Sequence, residues 1–565
     1  MSDQTWHQSQ GMLNWLKNYQ RAFLIGDVSA GVIVALLLIP QGVAYAIVAG
    51  LPPVTGLYAS ILPPLAYALF GSSMVQSVGA QAITALMIGT TLSTMAPPGS
   101  PLNLVLAAQM ALIAGVTLLV CGALRLGFLA SFLSRPVMSG FTSGSALVIA
   151  GEQLRPLLGG ALTSVRPYSA CIGLGSLLLM WLAKKYLARL LEQIGIRKKW
   201  ADTLSRLAPV AVLLTAMLLV SAFGLNQLGV AVVGKVPSGL PDIGFSVSND
   251  HWRALLGPSM LMAFVIFLFS QSAAQSLAQK RNERIKVDHE LFGLGAANLL
   301  SAVSGGFPVT GSISRSAVNY EAGANTPLAS VISAAILALV LVAPTGWLSW
   351  LPMPVLAATI IIAVVGMIDF ATLKESWNYD RSDAAAMLGA AGGVILLGIE
   401  AGVILGVALS LASIIWRASH PHIAVLGRIA GSEHFRNIHR HEAETLADVL
   451  MLRIDSDLFF GNADIVVGHV ENLLNERTSQ GLHTHHVLLV MSAVNVIDTT
   501  ALHALIELNK NLRDRDITLH FSEIKGPVMD RLQRSHFMNA LPDVQLFLST
   551  AQAYHYFEMH PPLSR

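Results

Sequence analysis

The groups best suited to chemistry in this chain are neutral. Hydroxyls and amides gather in two short stretches, SVGAQAITALM at 77–87 and PVTGSISRSAV at 308–318, where glycine or proline breaks an apolar run. Gln81, Thr84, Thr310 and Ser312, joined by Gln41 and Gln271, donate or accept hydrogen bonds without carrying charge. Such groups suit reversible binding of a small anion. A carboxylate would repel it, and a cation would hold it too tightly to release. From Val28 to Gly151 there is no acidic residue, and from Ala254 to Gln279 no charge of either sign. Arg315 is the exception inside the second stretch, and a charge within an apolar run is a functional candidate by default. Five residues into its helix, its side chain can equally reach a carbonyl or the membrane interface. No nucleophile–base pair or phosphate loop is present, so neither an enzyme nor a cofactor is expected. Before residue 419 the histidines are His7, His251 and His289, and no buried carboxylate or imidazole stands out as a proton relay. Exchange or passive transport therefore stands beside proton symport.

These stretches need elements to hold them. The chain has 565 residues, 53% hydrophobic and 12% charged, against about a quarter charged in soluble domains. Its mean hydropathy is +0.60. Residues 1–20 lack the apolar core of a cleavable signal peptide, and no removed targeting segment is expected. Cys121 and Cys171 lie in apolar segments, which argues against a disulfide framework or a metal site. A net charge of +2 gives no reason to expect a nucleic-acid partner. The partner is the lipid bilayer: this reads as an integral membrane protein.

Apolar runs near the roughly 20 residues that cross a bilayer occur at 28–48, 54–71, 104–124, 168–188, 207–224, 254–278, 327–348, 354–371, 383–399 and 400–417. Shorter or interrupted ones lie at 80–95, 128–150, 289–304 and 309–325, making fourteen. An even number places both ends on one side. Basic residues crowd alternate loops: Lys184, Lys185, Arg189, Arg197, Lys198, Lys199 and Arg206, then Lys280, Arg281, Arg284 and Lys286, then Lys374 and Arg381. The positive-inside rule thus puts N- and C-termini in the cytosol of a cell whose inner (cytoplasmic) membrane holds the protein.

The two broken stretches open the third and tenth of fourteen spans, the same place in two seven-helix halves. Paired interrupted helices are a pointer to a transporter site between repeats. Each helix start leaves up to four N–H groups unpaired, untenable in hydrocarbon. Two such starts facing each other present donors and the positive ends of two helix dipoles, and an anion satisfies both. Alone, either break would read as glycine easing helix packing with hydroxyls bonded back to their own helix. Their matched positions favour a site.

Two long segments resemble the sulfate permease (SulP) family of anion carriers. GDVSAGVIVALLLIPQGVAYAIVAGLPPVTGLYASILPPLAYALFG at 26–71 is similar to the family's opening signature, and ELFGLGAANLLSAVSGGFPVTGSISRSAVNYEAGANTP at 290–327 to its most distinctive segment. The resemblance runs from about residue 20 into the C-terminal region. It implies an all-α polytopic membrane domain of seven plus seven inverted repeats, forming a core and a gate. Carried over by position, the anion pocket comprises Gly79, Ala80, Gln81 and Ala82 on one half-helix and Val309, Thr310, Gly311 and Ser312 on the other, with Phe269, Ala273 and Gln41 beside them. Homodimers are implied by resemblance alone. Sulfate leads as substrate, by alternating access; bicarbonate, chloride, dicarboxylate and an uncoupled channel stay open. The chain departs from the pattern in three places. Ala80 stands where proline is common. Bicarbonate carriers of the family have an acid at the place of Phe269 and a hydroxyl at that of Ala273, which help hold sodium. Neither residue here offers a side-chain oxygen, so sodium is not expected to be needed.

Near residue 417 the character changes to charges, histidines and strand-like stretches. The division expected is a cytosolic segment 1–20, a transport domain 21–418, a linker 419–434 and a cytosolic α/β domain 435–560. Strands VLMLRID, HVLLVMSA and TLHFSEI alternate with helices over 463–477, 500–514 and 526–536, predicting a small domain with some parallel pairing. VLLVMSAVNVIDTTALHALIEL at 487–508 resembles the STAS domain attached to these carriers, for which a cytosolic protein partner is a possibility. In related antagonist proteins the residue at the place of Thr499 is phosphorylated; the plain alternative is that Asp498 or Thr499 caps the helix. Ala501 replaces the usual glycine there. HTHH at 483–486 reads as a polar loop rather than a metal clip.

Overall fold

A computed structural model describes residues 14–128, 134–161, 163–244, 250–535, 537, 541 and 543–560. The chain divides into two units, Met1–Ser410 and Leu411–Arg565. His7 and most of the expected N-terminal segment lie outside the described residues.

Among the described residues each of the fourteen apolar stretches falls mainly on helix, the last of them running from the first unit into the second. The first half holds α1 (Leu24–Val48), α2 (Pro53–Tyr58), α3 (Leu62–Phe70), α4 (Ala82–Ser93), α5 (Pro101–Ala123), α6 (Arg135–Glu152), α7 (Pro167–Leu182) and α8 (Ala208–Ala222). The second holds α9 (Trp252–Arg281), α10 (Val287–Val303), α11 (Ile313–Glu321), α12 (Leu328–Val342), α13 (Met353–Val365), α14 (Arg381–Leu397) and α15 (Ile399–Ser419). Among the described residues seven continuous helical runs are long and apolar enough to cross a membrane. Leu178, Leu218, Leu339 and Leu396 stand exposed on their outer faces, which suits lipid rather than water. Starts are set locally: Ser100 and Ser134 accept from Asn103 N and Val137 N, each with proline in the first helical turn. The 54–71 run is less regular than expected. It breaks at Ala59–Ile61, because Pro63 and Pro64 can only open a new helix.

Packing partners are exchanged between the halves. α1 lies on α12 while α9 lies on α5, and α6 lies on α14 while α7 lies on α13. A two-fold relation between the halves would produce this reciprocity. Close approach depends on small residues: a Cβ at Gly115 of α5 would come within 3.0 Å of the Gly295 carbonyl on α10.

Two carboxylates correct the expectation that none is buried. Asp27 and Glu290 are both fully covered. Each sits in the first turn of its helix. Asp27 accepts from Asn325 N and Thr326 N at 2.7 and 3.0 Å, holding the turn before α12 against α1.

The second unit is a six-stranded sheet in the order β4-β3-β5-β6-β7-β8, built from β3 (Ile423–Arg428), β4 (Phe435–Asn437), β5 (Val449–Ile454), β6 (His486–Val490), β7 (Thr518–Ser522) and β8 (Leu546–Phe547). β5 to β8 run parallel, joined by α16 (Ala463–Ser479), α17 (Thr499–Arg513) and α18 (Gly526–Arg534), and α19 (Thr550–Met559) follows. The expected 419–434 linker is partly sheet: β3 pairs antiparallel with β5, with Ile423 opposite Ile454. Its IAVLGR opens with four consecutive apolar residues, a run too short to be separated from a loop by sequence alone.

Candidate functional site

The two broken stretches meet. Val78–Gly79 (β1) and Thr310–Gly311 (β2) form an antiparallel ladder, with Val78 opposite Gly311 and Gly79 opposite Thr310. The ladder is continued by Ser312 N donating to Ser77 O at 3.0 Å. Extended backbone that would be intolerable in hydrocarbon thus pairs with its counterpart from the other half. α4 and α11 start immediately after it.

The two helix starts differ. Gln81 occupies the cap position of α4, and its side chain caps no amide there. At α11 the Ser312 hydroxyl accepts from Arg315 N at 3.4 Å. Both residues line a cavity of about 1530 Å³, together with Gln41, Phe269, Gln271 and Arg315. The cavity extends past Thr142 and Thr359 to Lys184 and Arg206, residues of a basic loop, and to Gln279 near the end of α9.

Burial and hydrogen bonding separate the lining groups. Arg315 is 2% exposed. Its Nη1 donates to Ala80 O at 2.6 Å and approaches Gln41 Oε1 at 3.5 Å, while Nε and Nη2 have no partner in the protein. Both amide atoms of Gln271 and Oε1 of Gln81 are likewise buried and unpartnered. Such groups are costly unless something bonds to them, and they surround the same chamber.

Apart from Phe269, the remaining expected residues support this chamber rather than line it. Ala82, Ala273 and Val309 are buried. Val309 is held by Asn298, which accepts its N–H at 2.9 Å and donates to its carbonyl at 3.0 Å. Thr310 donates its hydroxyl to Ile266 O at 3.0 Å and Thr84 donates to Gln81 O at 3.1 Å, so neither hydroxyl is free for a ligand. A Cβ on Gly311 would overlap Gln76 Nε2 and lie 2.6 Å from Ser270 Oγ. Phe269 packs on Phe141 with ring centroids 5.7 Å apart. It and Ala273 bring no side-chain oxygen to the place where a sodium ion would need several.

Sequence reasoning missed Asn298, Gln76 and Ser270, which hold the ladder in place. Asn298 had a signal, being an amide inside the apolar AANLLSAV. In the second unit, Asp498 caps α17 by accepting from Ala501 N at 2.8 Å and also accepts from Phe460 N at 2.8 Å. Thr499 follows it, exposed at the helix start. His486 opens β6 and its Nδ1 lies 3.1 Å from His520 Nε2.

Comparison with known proteins matches this architecture throughout. The model of the sulfate permease family covers residues 24–390, and that of the STAS domain covers 440–553. The chain is 35% identical over 544 residues to the chloroplastic sulfate transporter 4.1 of Arabidopsis thaliana, covering 92% of this chain and 78% of that one. To a probable sulfate transporter of Mycobacterium tuberculosis it is 34% identical over 541 residues, covering 95% and 96%. The fold is shared with the murine Solute Carrier 26 family member A9 anion transporter in its inward-facing state, with a TM-score of 0.84 at 20% identity, covering 97% of this chain and 94% of that one.

Proposed function

The chain belongs to the sulfate permease family of multi-pass anion transporters, and from that premise we propose that it carries sulfate across the cytoplasmic membrane by alternating access. The observation that carries this reading is the β1–β2 ladder, which sets the starts of α4 and α11 side by side at one cavity. Each helix start contributes about half a positive charge. With the Arg315 guanidinium, the chamber offers about two positive charges to its occupant. That matches a dianion better than chloride or bicarbonate. Gln271 Nε2 and the free guanidinium nitrogens of Arg315 supply directed donors for a tetrahedral oxyanion. Gln81 can present its amide N–H after a flip.

The cavity reaches Lys184 and Arg206, on the side that the positive-inside rule assigns to the cytosol. We read this conformation as inward-open, with all fourteen apolar helices as spans and both termini cytosolic. The test is purified protein in liposomes, with labelled sulfate counterflow competed by bicarbonate, chloride and succinate. Saturable sulfate counterflow, weakly displaced by the monovalent ions, is expected. Its absence, or currents far above carrier turnover, would overturn the reading.

A further inference from the structure

The two edges of the second unit's sheet differ in character. β3 begins at Ile423, four residues after α15 ends at Ser419, and pairs antiparallel with β5, Ile423 opposite Ile454. α15 therefore enters at the edge where the parallel strands finish. The loops after β5 and β6, the starts of α16 and α17, and Leu548 after β8 lie at that edge, whereas Leu482 and Met559 lie at the opposite one. Beyond α15, the large apolar side chains exposed among the described residues of this unit are Phe460, Ile465, Leu482, Val496, Leu548 and Met559. Four of these six stand on the entry edge, with Phe460 74% exposed.

That edge is tied to the end of α15. Asn462 is 1% exposed. Its Nδ2 donates to Ala418 O at 3.2 Å and Asp457 O at 2.8 Å, and its Oδ1 accepts from Phe459 N at 3.0 Å. The loop 457–462 is thereby pinned to the last turn of a helix long and apolar enough to cross a membrane. The part of α15 within this unit presents Ile414, Ile415 and Trp416 outward. Trp416, stacked on His420 with ring centroids 4.1 Å apart, is followed by Arg417, the pairing of amphipathic ring and positive charge found where a helix leaves the bilayer. Ala418 comes next, which sets the bilayer surface at the level of the carbonyl that Asn462 holds. Phe460 is two residues from Asn462, at most about 7 Å of chain.

The acids of this edge do not oppose contact with lipid. Asp457 Oδ1 accepts from Asn495 N and Val496 N at 2.6 and 3.1 Å, Asp498 from Ala501 N and Phe460 N, and Glu523 from Thr550 N at 3.2 Å. Asp464, exposed in the first turn of α16, is balanced in charge by Lys525, whose Nζ donates to Asn495 Oδ1 at 2.6 Å. We propose that this edge rests on the bilayer surface where α15 emerges, with the Phe460 ring set among the lipid headgroups as an anchor for the second unit. A cluster of exposed apolar side chains calls for an apolar partner, and surface-lying anchors bury such side chains at the boundary of headgroups and acyl chains. The balanced charge makes the contact indifferent to the charge of the headgroup. The proposal rests on α15 crossing the bilayer and not on the identity of the cargo.

The test uses the unaltered full chain in phosphatidylcholine vesicles that contain a phosphatidylcholine with a photoactivatable diazirine near its headgroup. After illumination, lipid adducts mapped by mass spectrometry should fall on residues 458–465 as well as on Trp416, and not around Met559. Phe460→Asp should reduce the loop adducts about tenfold or more, the scale of one lost aromatic anchor, and leave those on Trp416 unchanged. Added phosphatidylglycerol or high salt should alter neither. Equal loop adducts in Phe460→Asp and wild type overturn Phe460 as the anchor, and adducts lost at high salt overturn an apolar contact. Adducts on Trp416 with none on the loop overturn the proposal, and a Trp416 free of lipid removes its premise. A fluorophore on Phe460→Cys, in a chain with Cys121→Ser and Cys171→Ser, gives a second readout. Quenching by nitroxide lipid and not by aqueous iodide is expected. Quenching by iodide places the edge in water, and shielding from both quenchers places protein over it, either the membrane unit or a second copy; each of these results overturns the proposal.

Discussion

Gly79 and Thr310 are Cα partners across the ladder, and α4 and α11 each begin three residues beyond them, at Ala82 and Ile313. The pairing fixes the spacing of two amide-rich helix ends with backbone bonds rather than with side chains. Gly311 shows how little tolerance remains, because a Cβ there would overlap Gln76 Nε2.

Gly311→Ala should therefore abolish sulfate uptake and lower stability by about 1–3 kcal/mol, the usual range for overpacking. Gly257→Ala on α9, where a Cβ meets nothing within 4 Å, should leave both unchanged. Thermal unfolding in detergent and vesicle uptake read the pair.

Arg315 brings the positive charge that the helix ends alone lack. Arg315→Gln should weaken sulfate binding by roughly tenfold to a hundredfold, as for lost hydrogen bonds to a charged group. Binding measured against chloride should change less. Equal losses for both ions would show that the charge only supports the backbone through Ala80.

Replacing sodium with choline should leave sulfate flux unaltered. Phe269 and Ala273 provide no side-chain oxygen, and both are buried. A collapse of flux in choline would refute this.

In the second unit, burial and the neighbouring His486 push the His520 imidazole down to about 4. Unfolded, it titrates near 6.5. Between these values the unfolded state binds more protons, so stability is full above about 6.5 and falls as pH drops toward 4, by at most about 3 kcal/mol. Amide exchange of β6 and β7 in the full chain should quicken across that window. His520→Phe should flatten the dependence.

Asp498→Ala should destabilise the second unit by about 1–2 kcal/mol, because it removes the cap on Ala501 N. Thr499→Ala should be near neutral in stability. If Thr499 is a modification site, phosphate analysis of protein from its native cells will find it there; an unmodified residue would leave Thr499 as ordinary helix start.

Much of this architecture was legible in the chain. Apolar runs located the helices, and matched breaks at 77–87 and 308–318 pointed to two helix starts that face each other, without announcing the ladder before them. The long family-like segments named the fold. What escaped were properties set by tertiary contact. Thr310 looked like a ligand because its hydroxyl follows a break, but the Ile266 carbonyl takes it. Glu290 did not stand out as a buried carboxylate in the sequence, yet Ser72, Ser73 and Tyr67 enclose it. β3 was read as linker because a run of four apolar residues cannot announce a sheet partner some twenty-five residues on.

Each wall of the chamber is stitched to the other by peptide hydrogen bonds drawn from opposite halves of the chain. Such a seam cannot part to release cargo without exposing bare backbone to oil. On the alternating-access reading proposed above, the pocket keeps its shape while the surrounding helices do the sliding.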